Sequence, residues 1–327
     1  MPRSKAVRKD LSKGWNELYE LWKLPLAKKV KNSESLLSQA LNTHKRPVVC
    51  WSGGKDSGAT LHLTLKIDRD IPVIFVETGV DFEETKKFVR KLAKSWKLNL
   101  FIAKPKRGDD FWAIGGRYGW PIYGKNIASN VERARRTGNL RPQLSKLERK
   151  LVNGGLHIST KCSELLLEKP TKLKEEELGA DAKIIGLRAE ESRARVRLWV
   201  DHGDQYFVKR YFGRGRGIWK VNPIAVWTEK DVLGYHEKHN IPICDLYKMG
   251  YPRNGCWPCA MAIRNGQLRR LRKIYPKLFN KLMLETAMGK ELMRAKNMAI
   301  GKREGKNYSA KDIKKLLEVE PDAFDSL

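Results

Sequence analysis

Residues 46–57 read Arg-Pro-Val-Val-Cys-Trp-Ser-Gly-Gly-Lys-Asp-Ser. Val48, Val49 and Trp51 make a short apolar run with Cys50 as a small core residue, which predicts a buried strand. Helix-forming sequence through Leu65 comes next, so the glycines lie between a strand and a helix. In that setting Gly53 and Gly54 let the backbone turn tightly and come close to an anion. The amides opening the helix then face its negative charge. Ser52 and Ser57 bring hydroxyls, and Lys55 brings a mobile positive charge. Asp56 adds a carboxylate that orders the loop or holds a divalent cation. The hexapeptide matches neither G-x-x-x-x-G-K-S/T nor G-x-G-x-x-G, so neither of those nucleotide fingerprints applies.

Outward from the loop the same alternation repeats. Ile71 to Val76 is apolar, Asp81 to Leu92 is helical, and Leu98 to Ala103 is apolar again. Helix-like sequence from Cys162 to Leu178 precedes a further strand over Lys183 to Leu187. Short strands alternating with longer helices predict an α/β fold: an open, mainly parallel sheet with flanking helices. Residues 1–44 read as a basic tail and helices from Leu11 to Leu41, broken at Pro25. Residues 45–260 read as the nucleotide-binding domain with a cysteine site, and 261–327 as a basic helical C-terminal region. Gly115 to Gly155 is polar and basic, an insertion or helical excursion. Arg193 to Lys220 mixes basic and aromatic residues around a Gly213–Gly217 loop or hairpin tip.

The chain has 327 residues, and its 10 Trp, 10 Tyr and 9 Phe exclude wholesale disorder. Lys and Arg number 66 against 37 Asp and Glu, a formal net charge of +29. Charge of that size disfavours a partner that is only a neutral metabolite and favours a polyanion, here tRNA or DNA. Basic residues crowd 117–150, 193–220 and 260–315. No apolar run of about 18 residues exists, and no apolar signal core follows the charged start, so a cytoplasmic protein without a membrane partner is expected.

Together with the loop, three further blocks resemble one known group. Val76-Glu-Thr-Gly79 follows the second strand, and Gly186-Leu-Arg-Ala-Glu-Glu-Ser192 with Arg195 resembles a G-x-R-x-x-E-S-x-x-R segment. Asn222 to Val232, then Ile241-Pro242 and Leu246-Tyr247, resembles a P-L-x-x-W-T-x-x-D-V…I-P…L-Y block. These are similar to the adenine-nucleotide alpha-hydrolase-like (HUP-type) group of N-type ATP pyrophosphatases and phosphoadenosine phosphosulfate (PAPS) reductases. The resemblance implies that Ser52, Gly53, Gly54, Lys55, Asp56 and Ser57 hold a pyrophosphate or phosphosulfate. It further implies that Glu77 contacts adenine or metal, that Arg188 and Arg195 clamp phosphate, and that Lys55, Asp56 and Arg188 act in catalysis.

The reductases carry a nucleophilic cysteine in a C-terminal E-C-G-x-H motif, whereas here no cysteine follows Cys259. The expectation is therefore ATP with Mg²⁺ cleaved to AMP and pyrophosphate, adenylylating tRNA or DNA for sulfur insertion with a sulfur-donor protein. The alternatives are reduction of PAPS or adenylylsulfate (APS) with a thiol reductant, or a non-catalytic nucleic-acid-binding module. Cys256-Trp-Pro-Cys259 has a spacing that lets both thiols reach one metal or cluster. By resemblance to the APS reductases, Cys162, Cys244, Cys256 and Cys259 are expected to bind a [4Fe-4S] cluster. Four thiolates suit zinc as well.

Overall fold

A computed structural model describes residues 11–140, 144–209, 211–212, 215–259, 266–299, 309–320 and 323. The expected basic tail over residues 1–9 lies outside them, as do Arg141 and part of the Gly213–Gly217 segment.

Two helices, α1 (Leu11–Lys23) and α2 (Leu26–Thr43), open the described chain and part at Pro25. Next come β1 (Pro47–Cys50), α3 (Lys55–Leu65), β2 (Val73–Val76), α4 (Glu83–Ser95) and β3 (Leu100–Ala103). The polar stretch expected as an excursion is helical: α5 (Phe111–Tyr118), α6 (Lys125–Thr137) and α7 (Lys146–Asn153). Then α8 (Lys161–Ser163), a π-helical turn over Glu164–Glu168 and α9 (Lys169–Glu177) form the helix expected from Cys162 onward. The chain continues through β4 (Ala182–Ile185), α10 (Arg193–His202), β5 (Gln205–Val208), β6 (Ile218–Val221), α11 (Glu229–Lys238) and α12 (Asp245–Lys248). The described residues of the basic C-terminal region include α13 (Gln267–Ile274), α14 (Pro276–Asn280), a π-helical turn over Lys281–Glu285, α15 (Ala287–Ala299) and α16 (Ala310–Val319).

The six strands form one sheet in the order β3-β2-β1-β4-β6-β5. Every neighbouring pair is parallel except β5 and β6. Because side chains alternate along a strand, each strand feeds two cores. Val49, Val73, Phe75, Ile184 and Val221 enter one, whereas Val48, Ile74 and Ile218 enter the other. The basic, aromatic stretch after Arg193 divides into helix α10 and the β5–β6 pair. Ser192 caps that helix by accepting from the Arg195 N–H, and Val196 and Val200 bury its inner stripe.

The chain forms two compact units. The first comprises Met1–Val76, Glu83–Ala103 and Thr171–Lys248, and contains the sheet; the second comprises Glu77–Phe82, Lys104–Pro170 and Met249–Leu327. Leu18, Leu37 and Ala40 place α1 and α2 in the core of the first unit. Buried Lys29 of α2 donates to the Asp231 carboxylate at 2.5 Å and to the Trp22 carbonyl at 2.8 Å. Asp231 also completes the Thr228 capping box of α11, and the Trp227 indole donates to Ser33 at 3.0 Å. The Trp-Thr-x-x-Asp block is thus the joint between α2 and α11. In the second unit Phe82 meets Tyr251 edge-on at 4.9 Å, and Trp112 packs at 5.8 Å from Trp257. No described helix is long and apolar enough to cross a membrane.

Strand order sets the position of the site. From β1 the chain crosses to β2 on one side, while β4 pairs on the other, so order reverses at β1/β4. Loops leaving the carboxyl ends of two parallel strands at such a reversal line a crevice. Here they are the Ser52–Ser57 loop after β1 and the Gly186–Arg188 segment after β4.

Candidate functional site

The loop is built for its turn. Gly53 has φ +74°, a conformation side chains disfavour, and Gly54 stands in extended backbone at the N-cap of α3. The Ser57 hydroxyl accepts from the Ser52 N–H at 3.2 Å, donates to the Gly54 carbonyl at 3.1 Å and contacts the Ser52 hydroxyl at 3.0 Å. The Lys55 N–H at the head of the helix donates to the Tyr247 hydroxyl at 3.1 Å. A neutral oxygen therefore sits against an amide that an anion favours. Beneath the loop, buried His236 puts Nε2 at 2.7 Å from the Lys55 carbonyl and Nδ1 at 3.1 Å from that of Ile241. Gly186 brings the β4 loop against this turn: a Cβ there would lie 2.9 Å from the Asp56 backbone.

Charge is concentrated around Arg188, which is 3% exposed. Its Nε donates to Asp56, one Nη to Glu190 and the other to Glu229, each at 2.5 Å. Burial opposes that charge, but Asp56 and then Glu229 outweigh it and hold the guanidinium above its ordinary pKa. Buried Lys55 lies 3.2 Å from the same Glu229 and 3.7 Å from Asp56. Two cations thus face three carboxylates. Arg188, expected as a phosphate clamp, is here the centre of a carboxylate ring. Arg195 pairs with Glu191 one helical turn away.

The fold brings Ser52, Gly53, Gly54, Lys55, Asp56, Ser57 and Arg188 together in the first unit. Tyr247, His236, Glu190 and Glu229 join them without having been singled out. Their only sequence signal was position: Glu190 inside the Arg188 block, Glu229 beside Thr228, and Tyr247 closing the last block.

Cys50 is no nucleophile. Its thiol lies 3.5 Å from Glu175, and burial pushes it up to about 12, so the thiolate is suppressed. Cys244 is fully buried in the first unit.

Glu77 and the remaining cysteines lie in the second unit. Glu77 pairs with Lys104 at 3.3 Å. The following turn is held by Asp81, which accepts from the Thr78 N–H at 2.7 Å and the Thr78 hydroxyl at 2.9 Å. Burial raises the Asp81 carboxyl, and the two Thr78 bonds only partly offset this. Asp81 bridges to Cys256, whose thiol is 3.7 Å from the Thr78 hydroxyl. The Cys259 N–H closes a turn onto the Cys256 carbonyl at 3.2 Å. Burial, and next Cys259, push Cys162 up to about 12; burial and Cys259 raise Cys256 as well. Three thiols thus share one field, although among the described residues no three Cys, His, Asp or Glu side chains are drawn together as a metal shell.

Comparison with known proteins extends these observations. The chain is 29% identical over 255 residues to an uncharacterized protein of Methanocaldococcus jannaschii, covering 77% of this chain but 44% of that protein. The chain therefore spans less than half the length of that relative. It is 27% identical over 255 residues to an adenosine 5'-phosphosulfate reductase of Bacillus mycoides, covering 76% and 90% of the two chains. A phosphate complex of phosphoadenylyl-sulfate reductase from Candida auris aligns with TM-score 0.47 and 19% identity, over 79% of this chain and 97% of that one. The phosphoadenosine phosphosulfate reductase domain model matches residues 46–262, from the first residue of β1's lead-in to just past Cys259. That match takes in most of the sequence, and the chain belongs to the phosphoadenosine phosphosulfate reductase domain family.

Proposed function

We propose that the chain binds magnesium-charged ATP at the Ser52–Ser57 loop and adenylylates an oxygen of a nucleic acid, tRNA or DNA, before sulfur insertion. The observation that carries this reading is the excess of carboxylates over cations beside the phosphate loop. A bare polyanion is repelled there, whereas a nucleotide that brings Mg²⁺ supplies the missing positive charge. In this reading Gly53, Gly54, Ser52 and Ser57 surround the pyrophosphate, Asp56 and Glu229 face the magnesium, and Lys55 neutralises the leaving group. The substrate oxygen attacks the α-phosphorus, a new P–O bond forms, the bond to the bridging oxygen breaks, and pyrophosphate departs. Arg188 holds the carboxylates in place; Arg195 and Glu77 are assigned to the nucleotide on the family pattern. The polyanionic partner is supported by the formal charge of +29, and the reading is of a cytoplasmic enzyme served by a sulfur-donor protein.

The named relatives favour a second reading, reduction of APS or PAPS to sulfite by an external thiol protein. Anaerobic protein incubated with ATP, APS or PAPS, with and without total tRNA and Mg²⁺, separates the two. Magnesium-dependent ATP binding with RNA-stimulated release of AMP and pyrophosphate supports the first. Tight APS or PAPS binding without ATP binding, and sulfite as product, overturns it.

A [4Fe-4S] cluster, or zinc in its place, is proposed at Cys162, Cys256 and Cys259. Cys259 raises both Cys162 and Cys256, and soft donors crowded in this way are the chemistry a thiophilic cation relieves. When bound, a cluster would handle sulfur; adenylylation itself needs no electron. Iron, sulfide and zinc analysis of anaerobic protein tests this, with Cys256→Ser and Cys259→Ser expected to lose the metal. Cys244, in the first unit, lies outside this set, and Cys244→Ala is expected to keep the metal; its loss there overturns the three-cysteine assignment.

A further inference from the structure

The second unit carries a cleft of about 350 Å³ whose walls include Lys106, Arg107, Asp109, Arg117, Tyr118 and Lys169. It is a built feature. The Asp109 N–H closes a turn onto the Lys106 carbonyl at 2.8 Å, with Gly108 at φ +85°. Arg117 of α5 braces that turn, donating to the Gly108 carbonyl at 3.1 Å and to the Asp109 carboxylate at 2.6 Å. A third bond, at 3.2 Å to the Ala113 carbonyl, fixes Arg117 on its own helix. The single carboxylate of the lining is thereby spent.

Lys106, Arg107 and Lys169 are exposed, and among the described residues their side chains have neither an ion pair nor a hydrogen bond. Three uncompensated cations around one cleft attract phosphates. Beside them the Tyr118 ring is 44% exposed, with the Arg117 guanidinium 5.6 Å from its centroid. An exposed ring among backbone-reaching cations suits an unpaired nucleotide, because every base has a face to stack. A duplex keeps those faces in its own stack and offers the ring nothing.

We propose that this cleft holds the phosphodiester backbone of an unpaired RNA segment, with Lys106, Arg107 and Lys169 on phosphates and Tyr118 stacked on a base. This rests on the nucleic-acid reading above and says which surface takes the substrate and in what form.

Fluorescence anisotropy of the full chain with tRNA, a single-stranded RNA 12-mer and duplex DNA, from about 50 to 200 mM salt, tests it. The triple variant Lys106→Ala/Arg107→Ala/Lys169→Ala is expected to lower the log–log salt slope on the 12-mer by about 2, at about 0.7 per phosphate. Tyr118→Ala is expected to weaken the single strand about tenfold and duplex DNA hardly at all. Far-UV circular dichroism and the thermal melt, measured in parallel, stay at the wild-type values in both variants and report their folding. If wild type binds RNA and both variants match it in affinity and slope, the cleft is not the site and the nucleic-acid reading stands. If Tyr118→Ala weakens duplex and single strand alike, the unpaired assignment falls. If wild type binds no nucleic acid more tightly than about 1 mM at about 50 mM salt, weaker than ordinary non-specific binding, the nucleic-acid reading itself fails.

Discussion

Two groups of cations in this molecule are treated in opposite ways. At the Ser52–Ser57 loop, Lys55 and Arg188 are buried and ringed by Asp56, Glu190 and Glu229. In the cleft of the second unit, Lys106, Arg107 and Lys169 are exposed and unpaired among the described residues. The first arrangement fixes geometry and costs stability when one member is lost. The second leaves charge available to a partner and is worth little to the fold. Residue type does not distinguish them in a very basic chain; what the sequence offers is that only Lys55 and Arg188 fall inside motif blocks.

The largest effect expected is on Arg188. Arg188→Ala leaves three carboxylates facing one another, and breaking such a group costs about 3 kcal/mol, toward the lower end because Glu190 and Glu229 keep solvent contact. Urea unfolding checks this, and a loss below about 1 kcal/mol would erase the contrast with the cleft. Gly186→Ala comes next. Its Cβ would sit 2.9 Å from the Asp56 backbone, which cannot rotate away as a side chain does. A stability loss of about 1–3 kcal/mol is expected, together with weaker nucleotide binding. Unchanged values in both assays would mean that the two loops part easily.

Chelation sharpens the same comparison. Removing Mg²⁺ is expected to weaken ATP about tenfold or more, equivalent to about 1.4 kcal/mol. Nucleic-acid binding, measured beside it, should respond to ionic strength rather than to the chelator. ATP affinity indifferent to Mg²⁺ would remove the role given to the carboxylates. The smallest effect is at the cleft: Lys106→Ala or Arg107→Ala should move stability by less than about 0.5 kcal/mol in either direction.

Acid sensitivity is expected from His62, whose ring burial, followed by His239, lowers it to about 4. An unfolded histidine titrates near 6.5, so between about 6.5 and 4 the unfolded chain binds the extra proton. Stability therefore falls as pH drops through that window. Thermal melts from pH 7 to 4 should show a decline that His62→Asn flattens; an equal decline in the variant would assign the acid response elsewhere.

The alternation of apolar runs and helical stretches from Val48 to Ala103 was readable because β1 and β2 bury both faces, while edge strand β3 keeps its apolar run with Ile102 exposed. Pro25 and the glycine pair marked breaks that local backbone chemistry dictates. Helix α10 was missed: its buried stripe is Val196 and Val200, and four arginines or aspartates around them hid the period. The loop was legible as a tight glycine turn between a strand and a helix, but the fate of Arg188 was not. Its partners stand at positions 56, 190 and 229, and only the fold assembles them. His236 was unreadable for the same reason, since its work is to meet two carbonyl oxygens rather than to match a spacing.

The strand order carries a consequence for synthesis. β1 finds its second neighbour, β4, only after the chain has passed through 104–170, which belongs to the other unit. At ribosomal speed the roughly 130 residues that separate β1 from β4 take on the order of ten seconds. An apolar β1 edge that waits for β4 through that interval is expected to be open to pairing with other strands. The segment that supplies Cys162 and the basic cleft is thus also a delay written into the sheet. Shortening it should speed closure of the nucleotide crevice as well as remove the cleft.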